Sequence, residues 1–245
     1  MAEPLNFKQE LTAVQGARAM GFRGFNLTIP HKVSVMEHLD EVGESARLIG
    51  AVNCVVRWGE KLVGENTDGK GFLESLKERT DPAGKRVTIL GAGGAARAIS
   101  VELALAGASA VNIVNRSEKR GRELVEHLQS VVDIEASFYP WSDQIRPAEG
   151  CDILINATSI GLYPDVAALA PVDFATVSAE TIVVDVIPNP PRTVFLARAA
   201  EQGCETIDGL GMLVNQGRIG FAYWTGVEPV ASVMRNALEE VFGRG

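Results

Sequence analysis

The chain has 245 residues, 46% of them hydrophobic and 22% charged, with a formal net charge of −8. That length holds one large α/β domain or two modest ones. The acidic balance and scattered Lys and Arg leave no basic face for nucleic acid or anionic membrane, no apolar run has the length of a membrane span, and no charged-then-apolar signal segment opens the chain. In chain order, Asn6 and Gln9 form a capping-box pattern, and Phe7, Leu11, Val14, Ala17 and Met20 recur at helical spacing up to Gly21. Phe22 to Ile29 reads as a buried strand stopped by Pro30. The spacing of Val33, Met36, Leu39 and Val42 predicts another helix. Ala51 to Arg57 and Lys61 to Glu65 predict two strands around a hairpin turn at Trp58-Gly59-Glu60. Asn66-Thr67-Asp68-Gly69 closes that unit, and Gly71 to Arg79 begins a short helix. Thr80 to Lys85 is a linker by composition and the expected domain boundary.

The second unit alternates strands and helices. Arg86 to Leu90 is an apolar, β-branched run that breaks on Gly91, and a small-residue helical pattern follows through Leu105. Ala110 to Val114 predicts the next strand, and Leu124, Val125, Leu128 and Val132 lie on one helical face. Further strands are expected over Ile134–Tyr139, Asp152–Asn156, Thr181–Asp185 and Glu205–Ile207, with a proline loop at 188–191 and a helix over Thr193–Gln202. Such alternation implies an α/β fold with a doubly wound, parallel, Rossmann-type sheet. Two helices close the chain, Met212–Thr225 and Val230–Phe242. In the second, Val230, Val233, Met234, Ala237, Leu238 and Val241 form an apolar stripe that reads as core packing.

The turn Gly91-Ala92-Gly93-Gly94-Ala95-Ala96 fits a dinucleotide fingerprint. Its first glycine turns the chain sharply and its second lets backbone approach a pyrophosphate. Ala96, in the third place, lets the helix lie close on the strand. Unpaired amides and the helix dipole then face the phosphates. About 20 residues on, NAD-binding versions carry a carboxylate for the ribose 2′-hydroxyl. Here that place holds Asn115-Arg116-Ser117, with Lys119 and Arg120 behind. Arginines bind a 2′-phosphate with charge-assisted bonds where a carboxylate would repel it, so NADP is expected over NAD.

Upstream, Asn26, Thr28 and Lys32 put polar groups at the end of an apolar strand, where a ligand crevice opens. Reducing a carbonyl by hydride needs a proton donor at the nascent alkoxide, and a Lys32–Asp68 pair can serve. The same two residues also fit an ordinary surface ion pair. Cys54, Cys151 and Cys204 form no Cys-x-x-Cys, and His31, His38 and His127 show no ligand spacing. Buried thiols in a reducing cytoplasm and no metal are therefore expected.

Taken together, the chain resembles the shikimate dehydrogenase family. The resemblance rests on seven motifs in the family's order: Asn-x-Thr-x-Pro-x-Lys as Asn26 to Lys32; Gly-Ala-Val-Asn as Gly50 to Asn53; Asn-Thr-Asp-Gly as Asn66 to Gly69; the glycine turn; Asn115-Arg116-Ser117; Asn156-Ala157-Thr158-Ser159-x-Gly161; and Asp208-Gly209-x-Gly211-Met212-Leu213-x-x-Gln216. It implies NADP-dependent reduction of 3-dehydroshikimate to shikimate, with Lys32 and Asp68 catalytic and Asn26, Thr28, Asn53 and Gln216 binding the hydroxyls of a polyol ring. Gly91, Ala92, Gly93, Gly94 and Ala95 would take the pyrophosphate, and Asn115, Arg116, Ser117 and Arg120 the 2′-phosphate. Thr158, Ser159 and Gly161 would line the nicotinamide side, with Val186 and Gly209 near the ring. Residues 1–80 would form the substrate domain and 81–208 the NADP-binding domain, with the helices of 209–245 packed back on the first.

Three features depart from the family pattern. The family's N-terminal strand and helix, with a Ser-x-Ser pair for the substrate carboxylate, has no counterpart in this sequence. Pro188 follows Asp185-Val186-Ile187 where a carboxylate-binding Tyr is usual, and Leu162 replaces a frequent Met. Two alternatives stay open: a quinate or other polyol hydroxy-acid dehydrogenase of the same fold, and a non-catalytic NADP-binding regulatory protein. The expected partners are a small-molecule substrate and either none or one further copy of the chain.

Overall fold

A computed structural model describes residues 5–242. Asn6 caps α1 (Phe7–Ala19) reciprocally with Gln9, as the capping-box pattern predicts. There follow β1 (Gly24–Asn26), α2 (His31–Ser34), a 3₁₀ turn over Val35–His38, β2 (Glu41–Val42), α3 (Glu44–Ile49), β3 (Cys54–Trp58), β4 (Lys61–Glu65) and α4 (Thr67–Lys77). The four strands form one sheet in the order β1-β3-β4-β2. β1 and β4 run antiparallel to β3, and β2 lies parallel to β4.

Two expectations for this unit fail for long-range reasons. The buried strand expected over Phe22–Ile29 is only three residues long, lies at the sheet edge, and leaves Ile29 83% exposed. Its chain turns into α2 once Thr28 accepts from the His31 amide. The helix expected from Val33 to Val42 stops at His38, because Asp40 is stitched to β4. The Asp40 amide donates to the Leu62 carbonyl, and the Asp40 carboxylate accepts from the Leu62 amide at 2.7 Å. That pairing draws Glu41 and Val42 into the sheet, and the hydrophobic spacing that mimicked a helix belongs to three different elements. α3 has no clear sequence signal of its own.

The second unit is β5 (Arg86–Leu90), α5 (Gly94–Leu105), β6 (Ala110–Asn115), α6 (Glu118–Val131), β7 (Glu135–Pro140), β8 (Ile153–Asn156), β9 (Ile182–Asp185), α7 (Val194–Glu201) and β10 (Thr206–Ile207). Its sheet is parallel throughout, in the order β10-β9-β8-β5-β6-β7. Covered on both faces, its strands are near-continuous apolar runs, with Ile89, Val111, Ile113, Ile153 and Ile155 fully buried. The winding reverses between β5 and β8, and a crevice opens at the C-terminal ends of these two strands.

α8 (Gly209–Thr225) returns to the first unit. It lies so close on α4 that a Cβ at Gly71 would come within 2.5 Å of the Gln216 amide, and the Trp224 indole donates to the Val55 carbonyl. α9 (Ala231–Phe242) corrects the reading of its stripe as core. Val230, Val233 and Val241 point outward, Val241 being 70% exposed. α9 meets the body on one side only, where Met234 approaches Gly217 of α8 and Arg235 pairs with Asp208. Among the described residues no helix is long and apolar enough to cross a membrane.

Candidate active site

The first cluster forms where two helix starts meet. Asn66 caps α4 by accepting from the Asp68 and Gly69 amides, which fixes Asp68 in the first turn. Lys32 sits in α2, whose backbone is tied down by the Val52 amide donating to the Lys32 carbonyl at 2.7 Å. Buried Glu10 braces the same turn, accepting from His31 Nδ1 at 2.7 Å and Ser34 Oγ at 2.8 Å. Lys32 Nζ then donates to Asp68 Oδ2 at 2.6 Å. Asn53 holds the other carboxylate oxygen, its Nδ2 donating to Asp68 Oδ1 at 2.8 Å while its Oδ1 accepts from the Thr67 amide at 2.7 Å. Both ends of the Asn53 amide are thus engaged with α4.

These residues line a cleft of about 420 Å³ that also takes in Asn26, Thr28, Gln216, Val186 and Gly209. The structure therefore brings together every residue that the motifs assign to proton transfer and substrate hydroxyls, across nearly 200 positions of sequence. Among the described residues, Lys32 and Asp68 are the only charged ones of the lining, and they are bound to each other. Pro188 and Met212 complete the wall.

The second cluster surrounds the glycine turn. Gly91 has φ +112°, and a Cβ there would meet the Ala157 carbonyl oxygen at 2.9 Å, so no other residue fits. Gly93 and Gly94 are exposed and a Cβ at either would meet nothing within 4 Å, so the turn leaves room for a ligand beside the first amides of α5, which an α-helix leaves without intrahelical partners. The turn, together with Gly50, Arg97 and Arg120, borders a cavity of about 380 Å³. On α6, Lys119 pairs with Glu123 and Arg122 with Glu118, whereas Arg116 and Arg120 have no carboxylate partner among the described residues. Asn115 donates to the Ser117 carbonyl, and Ser117 Oγ caps α6 by accepting from the Arg120 amide, so this loop is pre-shaped. An open amide cradle beside unpaired cations fits the phosphates of NADP. The buried Nε of Arg97, which has no hydrogen-bond partner, adds to that fit.

Between the clusters runs a polar network that sequence patterns do not disclose. Asp185 accepts from Thr193 Oγ1 at 2.7 Å, from the Ile187 amide and from Asn156 Nδ2, joining the ends of β8 and β9. Burial pushes its carboxyl pKa up to about 6 against these hydrogen bonds. Thr158 Oγ1 donates to Asn156 Oδ1 and accepts from the Ile160 amide, bracing the loop that leads to Ser159 and Gly161. The available sequence signal was a polar residue ending each of two adjacent apolar strands.

The matching family models are those for the shikimate dehydrogenase substrate binding domain over residues 3–55, shikimate/quinate 5-dehydrogenase over 74–186, and the shikimate 5′-dehydrogenase C-terminal domain over 209–239. A shikimate dehydrogenase (NADP(+)) of Desulforamulus reducens is 42% identical over 99% of this chain and 84% of its own. The chain belongs to the shikimate dehydrogenase family. Two solved structures are similar over nearly its whole length. One is the ligand-free 5-ketofructose reductase of Gluconobacter sp. strain CHM43, 53% identical with a TM-score of 0.93, covering 98% of this chain and 86% of that one. The other is shikimate 5-dehydrogenase of Listeria monocytogenes in complex with shikimate and NAD, 35% identical with a TM-score of 0.88, covering 97% and 84%. The α/β fold with a Rossmann-type sheet is shared across this family.

Proposed function

We propose that this protein is an NADP-dependent oxidoreductase that interconverts 3-dehydroshikimate and shikimate. The observation that carries the reading is the Lys32–Asp68 pair, 2.6 Å apart in a cleft otherwise lined by amide, hydroxyl and apolar groups, in a chain 42% identical to a shikimate dehydrogenase (NADP(+)). When bound, the reduced nicotinamide supplies the hydride. Lys32 Nζ gives the proton to the oxygen that gains charge as the carbonyl is reduced, and takes it back in the reverse direction. Asp68 holds Nζ at that oxygen and balances its charge, and Asn53 fixes the Asp68 carboxylate. Asn26, Thr28 and Gln216 orient the substrate hydroxyls. Gly91 to Ala95 hold the pyrophosphate, while Asn115, Arg116, Ser117 and Arg120 hold the 2′-phosphate. Thr158, Ser159 and Gly161, with Val186 and Gly209, border the nicotinamide. In this reading residues 1–80 form the substrate domain, 81–208 the cofactor domain, and 209–245 return to complete the first. Three free thiols fit a reducing cytoplasm. The protein in this reading is a monomer or homodimer acting on a small molecule, and light scattering on the purified protein checks its size. Loss of NADPH absorbance with 3-dehydroshikimate tests the reaction, and no loss at millimolar substrate would sink it.

A second reading, a neutral polyhydroxy ketone as substrate, is favoured by a specific observation. Among the described residues lining it, the cleft offers a substrate carboxylate no cation beyond Lys32, which Asp68 already neutralises, and Pro188 gives it no hydroxyl. The 53% identical structure is named a 5-ketofructose reductase. Side-by-side kcat/KM values for 3-dehydroshikimate, dehydrogenated quinate and 5-ketofructose decide between them. A higher value for 5-ketofructose would replace the first substrate and leave the proton-transfer pair in place.

A further inference from the structure

Arg97 stands in the first turn of α5, at the positive end of the helix dipole, where a cation is disfavoured. Partial burial pushes its guanidinium pKa down, and among the described residues no carboxylate pairs with it. Its Nε is buried without a partner. Nη2 lies 3.1 and 3.3 Å from the two ring nitrogens of His127. His127 Nε2 donates to the Leu48 carbonyl at 2.6 Å, so the ring nitrogen left to face a cation is Nδ1. Burial lowers the His127 pKa, which keeps that ring neutral beside the arginine. A guanidinium desolvated next to a neutral ring, with nothing of opposite charge in reach, is electrostatically incomplete.

The surroundings indicate what completes it. Gly50 leaves room for the side chain: a Cβ there would fall 2.9 Å from Arg97 Nη2. The cavity on the far side joins Arg97 to Arg120 and to the open turn at Gly93 and Gly94. Glu123 borders the same cavity, but Lys119 lies 3.9 Å from it. Two arginines and free helix-start amides around one cavity are a phosphate site. We infer that Arg97 is a further cofactor-phosphate ligand, and that through Gly50 and the His127–Leu48 bond it ties the bound cofactor to the end of α3 in the first unit.

The inference rests on the dinucleotide reading given under the proposed function. Its test is titration of the intact protein with NADPH and with NADH, read by quenching of tryptophan emission, for wild type, Arg97→Ala and Arg97→Lys. A charge-assisted bond to phosphate predicts a tenfold or greater rise in Kd for Arg97→Ala, largely restored by Arg97→Lys. A rise for NADPH alone assigns Arg97 to the 2′-phosphate, and a rise for both cofactors assigns it to the pyrophosphate. Unchanged Kd values for both cofactors overturn the inference. So does a weakening that Arg97→Lys fails to restore and that accompanies a lower melting temperature, since that is a packing effect. Should Arg97→Ala not fold, Arg97→Gln keeps the shape and carries the same comparison. If the wild type binds neither NADPH nor NADH, the cofactor reading itself fails, which is distinguishable from failure at Arg97.

Discussion

The two clefts treat charge in opposite ways. In the cleft between α2 and α4, the one cation among the described lining residues, Lys32, is already matched by Asp68 at 2.6 Å, and Asp68 is matched again by Asn53. Around the glycine turn, Arg97, Arg116 and Arg120 have no carboxylate partner among the described residues, although their neighbours Lys119 and Arg122 do. A pre-paired cleft holds its two charged groups fixed against each other, with amide and hydroxyl groups left to meet a ligand. A set of unmatched cations waits for an anion whose phosphates bring the missing charge. The difference separates chemistry from binding, so substitutions in the first cleft should change kcat and those in the second should change cofactor affinity.

The largest expected effect is at Lys32. Lys32→Ala removes the proton donor and should lower kcat by about 10²–10⁴-fold with Kd for NADPH unchanged, measured by steady-state rates and fluorescence titration. Equal losses in kcat and cofactor affinity would break the division between the clefts. Next comes the Arg116→Ala, Arg120→Ala double variant, which removes two charge-assisted contacts. It should raise Kd for NADPH by about 10²-fold while leaving Kd for NADH within a few fold. A matching rise for NADH would mean that these arginines serve the pyrophosphate and not the 2′-phosphate. Asn53→Ala should be milder. It frees Asp68 Oδ1 and the Thr67 amide without removing either proton-carrying group, so a fall of about tenfold in kcat is expected, at a stability loss of about 1–3 kcal/mol in urea titration. Retained kcat would show that Lys32 alone positions Asp68.

How much of this was legible in the sequence depends on how local each cause is. The capping box at Asn6, the glycine turn and the apolar strands of the second unit are decided by neighbours within a few residues, and the structure has them where the pattern predicts. Lys32 and Asp68 were legible through motifs, and the geometry joins them. Local spacing misleads in the first unit, where a distant partner decides. Asp40 ends a helix because Leu62 is opposite it, and Val42 belongs to a strand for the same reason. The valines of α9 face solvent because nothing in the described chain lies beyond that helix. The setting of Arg97 is not legible in sequence because it depends on His127 and Gly50, which are remote along the chain. The same holds for Asp185, whose partners Asn156 and Thr193 lie on separate elements.

Asp185 also gives the finest test of the comparison, because it is a buried charge site belonging to neither cleft. Its three hydrogen-bond partners are neutral, and burial lifts its pKa from 3.8 to about 6. Below about pH 4 the carboxyl is protonated in both folded and unfolded chains, and above about pH 6 it is ionised in both. Between these limits the folded chain alone holds the proton, so this group's contribution to stability falls as pH rises, by on the order of 2–3 kcal/mol across the window. Other ionisable groups add their own pH dependence, so the quantity to measure is the difference in unfolding free energy between wild type and Asp185→Asn. Wild type should lose ground to the variant steadily from pH 4 to pH 6, with the difference flat above that. A difference independent of pH would mean that the Asp185 carboxylate is solvated or paired in the folded state. The network joining β8 to β9 would then have to count among the matched charges, like the Lys32 cleft, and not as a third kind of site held by neutral donors.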